Sequence, residues 1–342
     1  MTLEKLAKLA NVSVSTVSKA FSGGRDISEE TRRKVFQIAK EQGCYEKYYK
    51  GCYARRVIAV ICPEIQSEYY GAMVTLLEQK LDALGADMVL SLSNFHPERE
   101  RELFEYHSYF QKADGVILIG AARGISNRNR IPCVALTSIQ KERCEIDRVG
   151  ITLQEALNTA VAHLRELGHR DICFLSEKLT DAKEAMFLAA LDSNGLPARP
   201  EQIVTSEKRF ENAGYDAMEE LFRRRELPTA VVAAYDYMAL GALYSIRSHG
   251  LKVPQDISVV GMDDISVSSF LDVGLTSIQT HVEEMCTIAL ELLWKKINNP
   301  YFTVRQTVAV AGDLVIRQST GPAPGIPRQG GPAAFGQAAA KG

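Results

Sequence analysis

Long apolar runs are missing from this chain of 342 residues. No stretch of about 18 consecutive apolar residues occurs, the length a membrane-spanning helix needs. The start, MTLEKLAKLA, has no apolar core of the kind a secretion signal carries. Neither export nor membrane association is expected, and the expected compartment is the cytoplasm. Paired cysteine motifs are missing too. The seven cysteines (Cys44, Cys52, Cys62, Cys133, Cys144, Cys173 and Cys286) are an odd, scattered set without a Cys-x-x-Cys, the pattern of reduced thiols. The six histidines lie apart without ligand spacing, so no metal is expected, and Cys173 with His169 reads as core and surface. There is no Gly-x-Gly-x-x-Gly, no Gly-Lys-Ser/Thr and no His-Glu-x-x-His. These absences leave no catalytic residue and no cofactor to propose, and the chain is not expected to be an enzyme.

What is present is a soluble composition, 46% hydrophobic and 24% charged. The length exceeds one ordinary core and predicts two or three domains. The net charge of −2 hides an asymmetry. Residues 1–56 hold 12 Lys/Arg against 6 Asp/Glu, while the rest holds 28 against 36. A basic arm on an acidic body suggests that the arm meets a polyanion, although a solvated basic surface has the same balance.

Within the arm, Leu3, Leu6, Ala7 and Ala10 recur at helical spacing. Asn11 follows where the chain must turn, and asparagine tolerates the left-handed conformation that ends a helix. Ser13 can cap a second helix. There Val17, Ala20 and Phe21 share the inner face, leaving Val14, Ser15, Ser18 and Lys19 outside. Ser28 caps a third helix opened by Glu29 and Glu30, where the helix dipole favours acid. Its stripe is Val35, Phe36 and Ile38–Ala39. Three short helices with a tight turn between the first two make an all-α helix-turn-helix, whose second helix fits the major groove of DNA. Thr16 and Ser18, with Ser13 at the helix start, can bond phosphates. Val14 can meet a thymine methyl, and Lys19 can donate to guanine. A three-helix cap without a DNA role is the competing reading, and the hydroxyl-rich outer face disfavours it.

From Val57 onward, apolar runs (VIAVICPE, DMVLSLS, DGVILIG, IPCVALTS, DICFLSE, AVVAAY, ISVVGMDD) alternate with helical segments. This predicts an α/β core with parallel sheets and helices on both faces. About ten strands suit two doubly wound subdomains. Ligands in such sheets bind beyond the carboxyl ends of strands. Asp236 follows AVVAAY, and Asp263 with Asp264 ends ISVVGM, so carboxylates stand where sugar hydroxyls could bond. Tyr69, Tyr70 and Phe210 could cover a ring. For each Asp the competing role is a cap or turn, most readily for Asp264.

LEKLAKLANVSVSTVSKAF, followed by ISEETRRKVFQIAKEQG, resembles the head of the LacI/GalR family of bacterial transcription regulators. YDYMALGAL at 235–243 and VPQDISVVGMDDI at 253–265 extend the likeness, which runs from about Thr2 to Thr320. The resemblance implies a repressor of double-stranded operator DNA, controlled by a small effector, in many relatives a carbohydrate. It also implies a core like periplasmic sugar-binding proteins, with two lobes joined by three crossing strands. Val14, Ser15 and Lys19 then fall where base-reading side chains sit, and Asp236 and Asp263 where effector contacts sit. Lys183 stands where many sugar-responsive relatives carry arginine, and Tyr235 where they carry asparagine. The loop QSEYY also departs from the usual Asn-Pro-aromatic form.

The expected limits are a head at 1–45, a linker at 46–56 and a core at 57–320. Crossings are placed near 147–150, 276–280 and 303–307. Subdomain 1 is then 57–147 and 280–304, and subdomain 2 is 150–276 and 307–319. In typical relatives a hinge helix pushes a leucine into the minor groove. EKYYKGCYARR has Gly51 and no leucine, which leaves a polar linker or a wedge made by Tyr48 or Tyr49. The tail at 321–342, rich in Gly, Pro and Ala, is expected to be disordered. It has no leucine repeat of the kind through which some relatives tetramerise, so a homodimer is expected. A stand-alone sugar-binding protein is the rival reading, opposed by the basic head.

Overall fold

The computed structural model describes residues 1–22, 27–48, 55–111, 113–120, 122, 124–127, 131–139, 145–224, 227–299 and 301–325. Two compact units form, the first built on Met1–Arg56 and the second on the chain from Val57.

The first unit is the expected head. Helix α1 (Leu3–Ala10) starts at Thr2, whose hydroxyl accepts the Lys5 N–H, and ends at Asn11 with φ +53°. Helix α2 (Val14–Ser22) and helix α3 (Glu29–Glu41) follow, with Ser28 capping α3 through the Thr31 N–H at 3.1 Å. A last turn, α4 (Tyr45–Tyr48), closes the unit. Leu6, Ala7, Ala10, Val17, Ala20, Phe21, Val35 and Ala39 form its core, with Phe36 and Ile38 half-buried beside it. Each large side chain sequestered there contributes about 1.5–3 kcal/mol. The Tyr48 hydroxyl donates to the Met1 carbonyl at 2.6 Å, and its ring lies 5.9 Å from that of Phe21. Tyr48 is therefore a packing residue of the head rather than a free wedge. The rest of the linker through residue 54 lies outside the described residues.

The second unit runs β1 (Arg56–Cys62), α5 (Glu68–Ala83), β2 (Ala86–Leu92), α6 (Pro97–Glu105), β3 (Gly115–Ile119), β4 (Cys133–Ser138) and β5 (Asp147–Ile151). It continues with α7 (Leu153–Glu166), β6 (Ile172–Glu177), α8 (Asp181–Ser193), β7 (Ile203–Ser206), α9 (Phe210–Arg224), β8 (Ala230–Ala233) and α10 (Asp236–Ser248). The last elements are β9 (Ser258–Asp263), β10 (Thr276–Gln279), α11 (Val282–Asn298), β11 (Thr307–Val310) and β12 (Asp313–Val315). Two six-stranded sheets result, ordered β11-β5-β4-β3-β1-β2 in lobe 1 and β12-β10-β9-β8-β6-β7 in lobe 2. The central strands are parallel and buried along most of their length, which is why IAVIC, GVILI and AVVA read as continuous apolar runs. β12 pairs antiparallel with β10.

The crossings differ from the expected places. Thr307–Val310 pairs with Arg148–Ile151 in lobe 1, so the first and third crossings come after Ile151 and after Val310. The second lies at Thr280–His281, between β10 and α11. Residues 147–151 and 307–310 thus both belong to lobe 1, since β5 pairs with β4 on one side and carries β11 on the other. Gly312 sits where the three crossings converge. A methyl there would come within 2.8 Å of Ile151 and 3.3 Å of the Gln279 carbonyl. The expected tail also begins later. The Gly321 carbonyl accepts a bond from His169 at 3.0 Å, and the Ala323 N–H donates to Leu167 at 2.9 Å, so residues through Ala323 are part of lobe 2. The remainder from 326 lies outside the described residues.

Candidate functional site

Two surfaces carry the candidate residues. On the head, the Ser13 hydroxyl accepts the Thr16 N–H at 3.0 Å and lies 2.8 Å from the Thr16 hydroxyl. Both hydroxyls thus set the start of α2. Val14, Ser15 and Ser18 are exposed on its outer face, while Thr16 and Lys19 are half-buried. The arrangement presents a methyl-bearing side chain, hydroxyls and an ammonium together along one short helix, which suits a base edge flanked by phosphates.

In the core, a cavity of about 550 Å³ lies between the lobes. Loops after β1, β4, β6, β8 and β9 converge there, because parallel strands leave their carboxyl ends open on one edge. Of the six expected effector residues, Tyr69, Tyr70, Lys183, Phe210 and Asp263 line it. The rings of Tyr69 and Tyr70 meet at 5.2 Å and those of Tyr70 and Phe95 at 5.9 Å. The Lys183 ammonium donates to the Ala234 carbonyl at 2.6 Å. Burial lowers its pKa, opposed by Asp263, Asp236 and Glu177. Burial likewise pushes Asp263 up to about 7 against the pull of Lys183.

Asp236 is the exception. It is wholly buried and does not line the cavity. Its carboxylate accepts bonds from the Ser277 hydroxyl (2.6 Å), the Ser268 hydroxyl (2.7 Å) and the Ile265 N–H (2.9 Å). Three of its acceptor positions are taken up inside lobe 2 and the side chain does not reach the cavity, so the expectation for Asp236 is corrected to a structural one. Gly261 admits it, because a methyl there would collide with the carboxylate. Asp264 is structural as well, with its carboxylate 2.6 Å from Arg317 and its N–H on the Ser277 hydroxyl.

Residues that the sequence reading passed over complete the walls. Glu64, Phe95, Glu100, Thr137, Ser138 and Arg148 come from lobe 1. Glu177, Arg209 and Tyr237 come from lobe 2, beside the Tyr235 already singled out, and Thr280 comes from a crossing. Burial pushes Glu100 up to about 7, opposed by the Ala122 N–H. The hydroxyls of Ser138 and Thr280 are buried without a hydrogen-bond partner among the described residues. The signal for three of these was available: Glu64, Ser138 and Glu177 end or follow strands, as Asp263 does. Among the described residues no cluster of His, Cys, Asp or Glu could hold a metal, and no helix is long and apolar enough to cross a membrane.

Comparison with known proteins agrees with this division. Residues 2–45 match the model of bacterial regulatory proteins of the lacI family, and residues 161–320 match a periplasmic binding protein-like domain. Catabolite control protein A of Priestia megaterium is 28% identical, over 94% of this chain and 99% of its own length. The repressor CytR of Escherichia coli K12 is 29% identical, over 93% of this chain and 96% of its own. Among solved structures, the regulator CelR in complex with cellobiose superposes with a TM-score of 0.67 at 26% identity, over 93% and 99% of the two chains. The fold also matches a lac repressor dimer bound to operator, with a TM-score of 0.69 at 24% identity over 94% and 99% of the chains. With its helix-turn-helix head and two-lobed effector core, the chain belongs to the lacI family of bacterial regulatory proteins, DNA-binding transcription regulators controlled by a small effector.

Proposed function

We propose that the chain is a cytoplasmic repressor, acting as a homodimer and not as an enzyme, whose effector is an uncharged, polyhydroxylated ring compound of the carbohydrate class. The observation that carries the effector class is the lining of the cleft. Acceptor carboxylates come from both lobes (Glu64 and Glu100, Glu177 and Asp263), aromatic rings lie beside them, and the buried hydroxyls of Ser138 and Thr280 have no hydrogen-bond partner among the described residues. Such hydroxyls cost free energy unless a ligand bonds them. Two of the lining cations are engaged, Lys183 on Ala234 and Arg209 on Glu64 and Glu177. An entering phosphate or carboxylate would have to compete for these two cations with the protein's own acceptors. The cellobiose bound by CelR is consistent with this class.

In this reading Val14, Ser15 and Lys19 address bases, and Ser13, Thr16 and Ser18 address phosphates. Tyr69, Tyr70, Phe210, Lys183 and Asp263 address the effector. The test is to select bound genomic fragments with the full chain, then titrate neutral sugars, including cellobiose, and their phosphates into the complex. A neutral sugar should change operator affinity while its phosphate does not. Operator binding that responds only to anions would overturn the effector class. Failure to retain DNA at low salt would return the chain to a stand-alone binding protein.

A further inference from the structure

At the mouth of the cleft, one arginine touches both lobes. Arg209 of lobe 2, just before α9, donates through Nη2 and Nη1 to the two oxygens of Glu64 in lobe 1, at 3.3 and 3.5 Å. Its Nε donates to Glu177 of lobe 2 at 3.5 Å. The guanidinium lies 5.0 Å from the ring centre of Phe95 and 4.5 Å from that of Phe210, one ring from each lobe. Glu64 is 8% exposed and Glu177 3%, so either carboxylate left without its cation would be costly.

Both phenylalanines are held in backbone conformations that bulky side chains rarely adopt, with φ +62° at Phe95 and +58° at Phe210. Such residues cost on the order of 1–3 kcal/mol each and persist where the surroundings over-determine them. Here the surroundings are visible. The Phe210 N–H donates to the Tyr235 hydroxyl at 2.9 Å, and that hydroxyl donates to Glu177 at 3.1 Å. Phe210 is thus tied to the same carboxylate that Arg209 bonds. A second link, from the Ser266 N–H to Glu68 at 2.7 Å, also spans the lobes.

We propose that Arg209 is a positioning residue that latches the two lobes. By joining Glu64 to Glu177 it holds the mouth of the cleft closed, with Phe95 and Phe210 set against the cavity, before any effector enters. The inference rests on the reading of the cleft as the effector site, but the latch itself needs no ligand to operate. An effector then fills a cavity that is already shaped. The second link stays in place when Arg209 is changed, so loss of the latch loosens the mouth rather than separating the lobes.

The experiment is hydrogen exchange on the full chain without DNA or effector, comparing wild type with Arg209→Gln, Glu64→Gln and the double variant. Each single change should speed exchange at residues 92–97 and 206–212 roughly tenfold, while the rest of lobe 2 keeps its protection. The double variant should match Arg209→Gln, because Glu64 acts on the mouth only through its ion pair with Arg209. Salt near 1 M should move the wild type toward the variants, as the arginine is 34% exposed and open to screening. Wild-type exchange in both single variants, or additive acceleration in the double, would overturn the latch. Should Arg209→Gln fail to fold, Glu64→Gln alone supplies the same readout. A chain that shows this coupling yet answers to no effector would sink the functional reading and leave the latch standing.

Discussion

The Ser277 hydroxyl of β10 donates to the Asp236 carboxylate at 2.6 Å, joining the start of α10 to a neighbouring strand within lobe 2. With the bonds from Ser268 and Ile265, this makes Asp236 a fastener of lobe 2. Asp236→Ala leaves three buried donors unmet, each worth about 1–3 kcal/mol. Denaturant unfolding should show a core weakened by several kcal/mol, whereas the affinity for effector per folded molecule should hold. A fully stable variant that no longer binds effector would place the carboxylate in the site after all.

Glu100 provides a pH test. Its pKa rises from 4.5 to about 7 in the folded chain, mainly through burial. Between those values the folded state keeps a proton that the unfolded state has released. The contribution of Glu100 to stability is therefore greatest below about pH 4.5 and falls as pH rises through 7. Glu100→Gln removes this slope. The stability of the variant relative to wild type should climb between pH 4.5 and 7.5, by at most about 3 kcal/mol. A difference independent of pH would show that the carboxyl titrates normally.

Lys19 tests the reading helix. If its ammonium meets a base edge, Lys19→Ala should lose roughly 1–3 kcal/mol at the selected operator. Binding to random DNA should weaken much less, and the salt dependence should change by no more than one contact's worth. Equal losses on operator and random DNA would assign Lys19 to the phosphate backbone.

Much of the fold was legible because its signals are local. Asn11 in the left-handed region, Ser13 and Ser28 as caps, and Val17, Ala20 and Phe21 buried together all follow from residue type and helical spacing. The central parallel strands showed as apolar runs because both their faces are covered. The crossings were misplaced since β11 (TVAV) owes its lobe to pairing with β5 (DRVGI), more than 150 residues earlier, which no local pattern records. Asp236 was misread because the position after a strand suits a ligand contact and a fastener equally. Only the partners Ser268 and Ser277, distant in sequence, decide between them. Arg209 was missed for a similar reason, as its two carboxylates come from loops far apart in the chain.

Asp263 is the cavity carboxylate on which the effector response should turn. It ends β9 with φ +102°, lies beside Lys183, and faces the cavity. Asparagine accepts positive φ more readily than most residues and keeps the shape, so Asp263→Asn removes charge with little disturbance of the backbone. The variant should bind operator as wild type does. The effector-dependent change in operator affinity, of the order of 1–3 kcal/mol in coupled systems, should disappear. Lys183→Met should act in the same direction, because it strips Asp263 of the cation that holds it partly ionised. Operator titrations in which both variants respond to the effector as wild type does would move the effector out of this cleft.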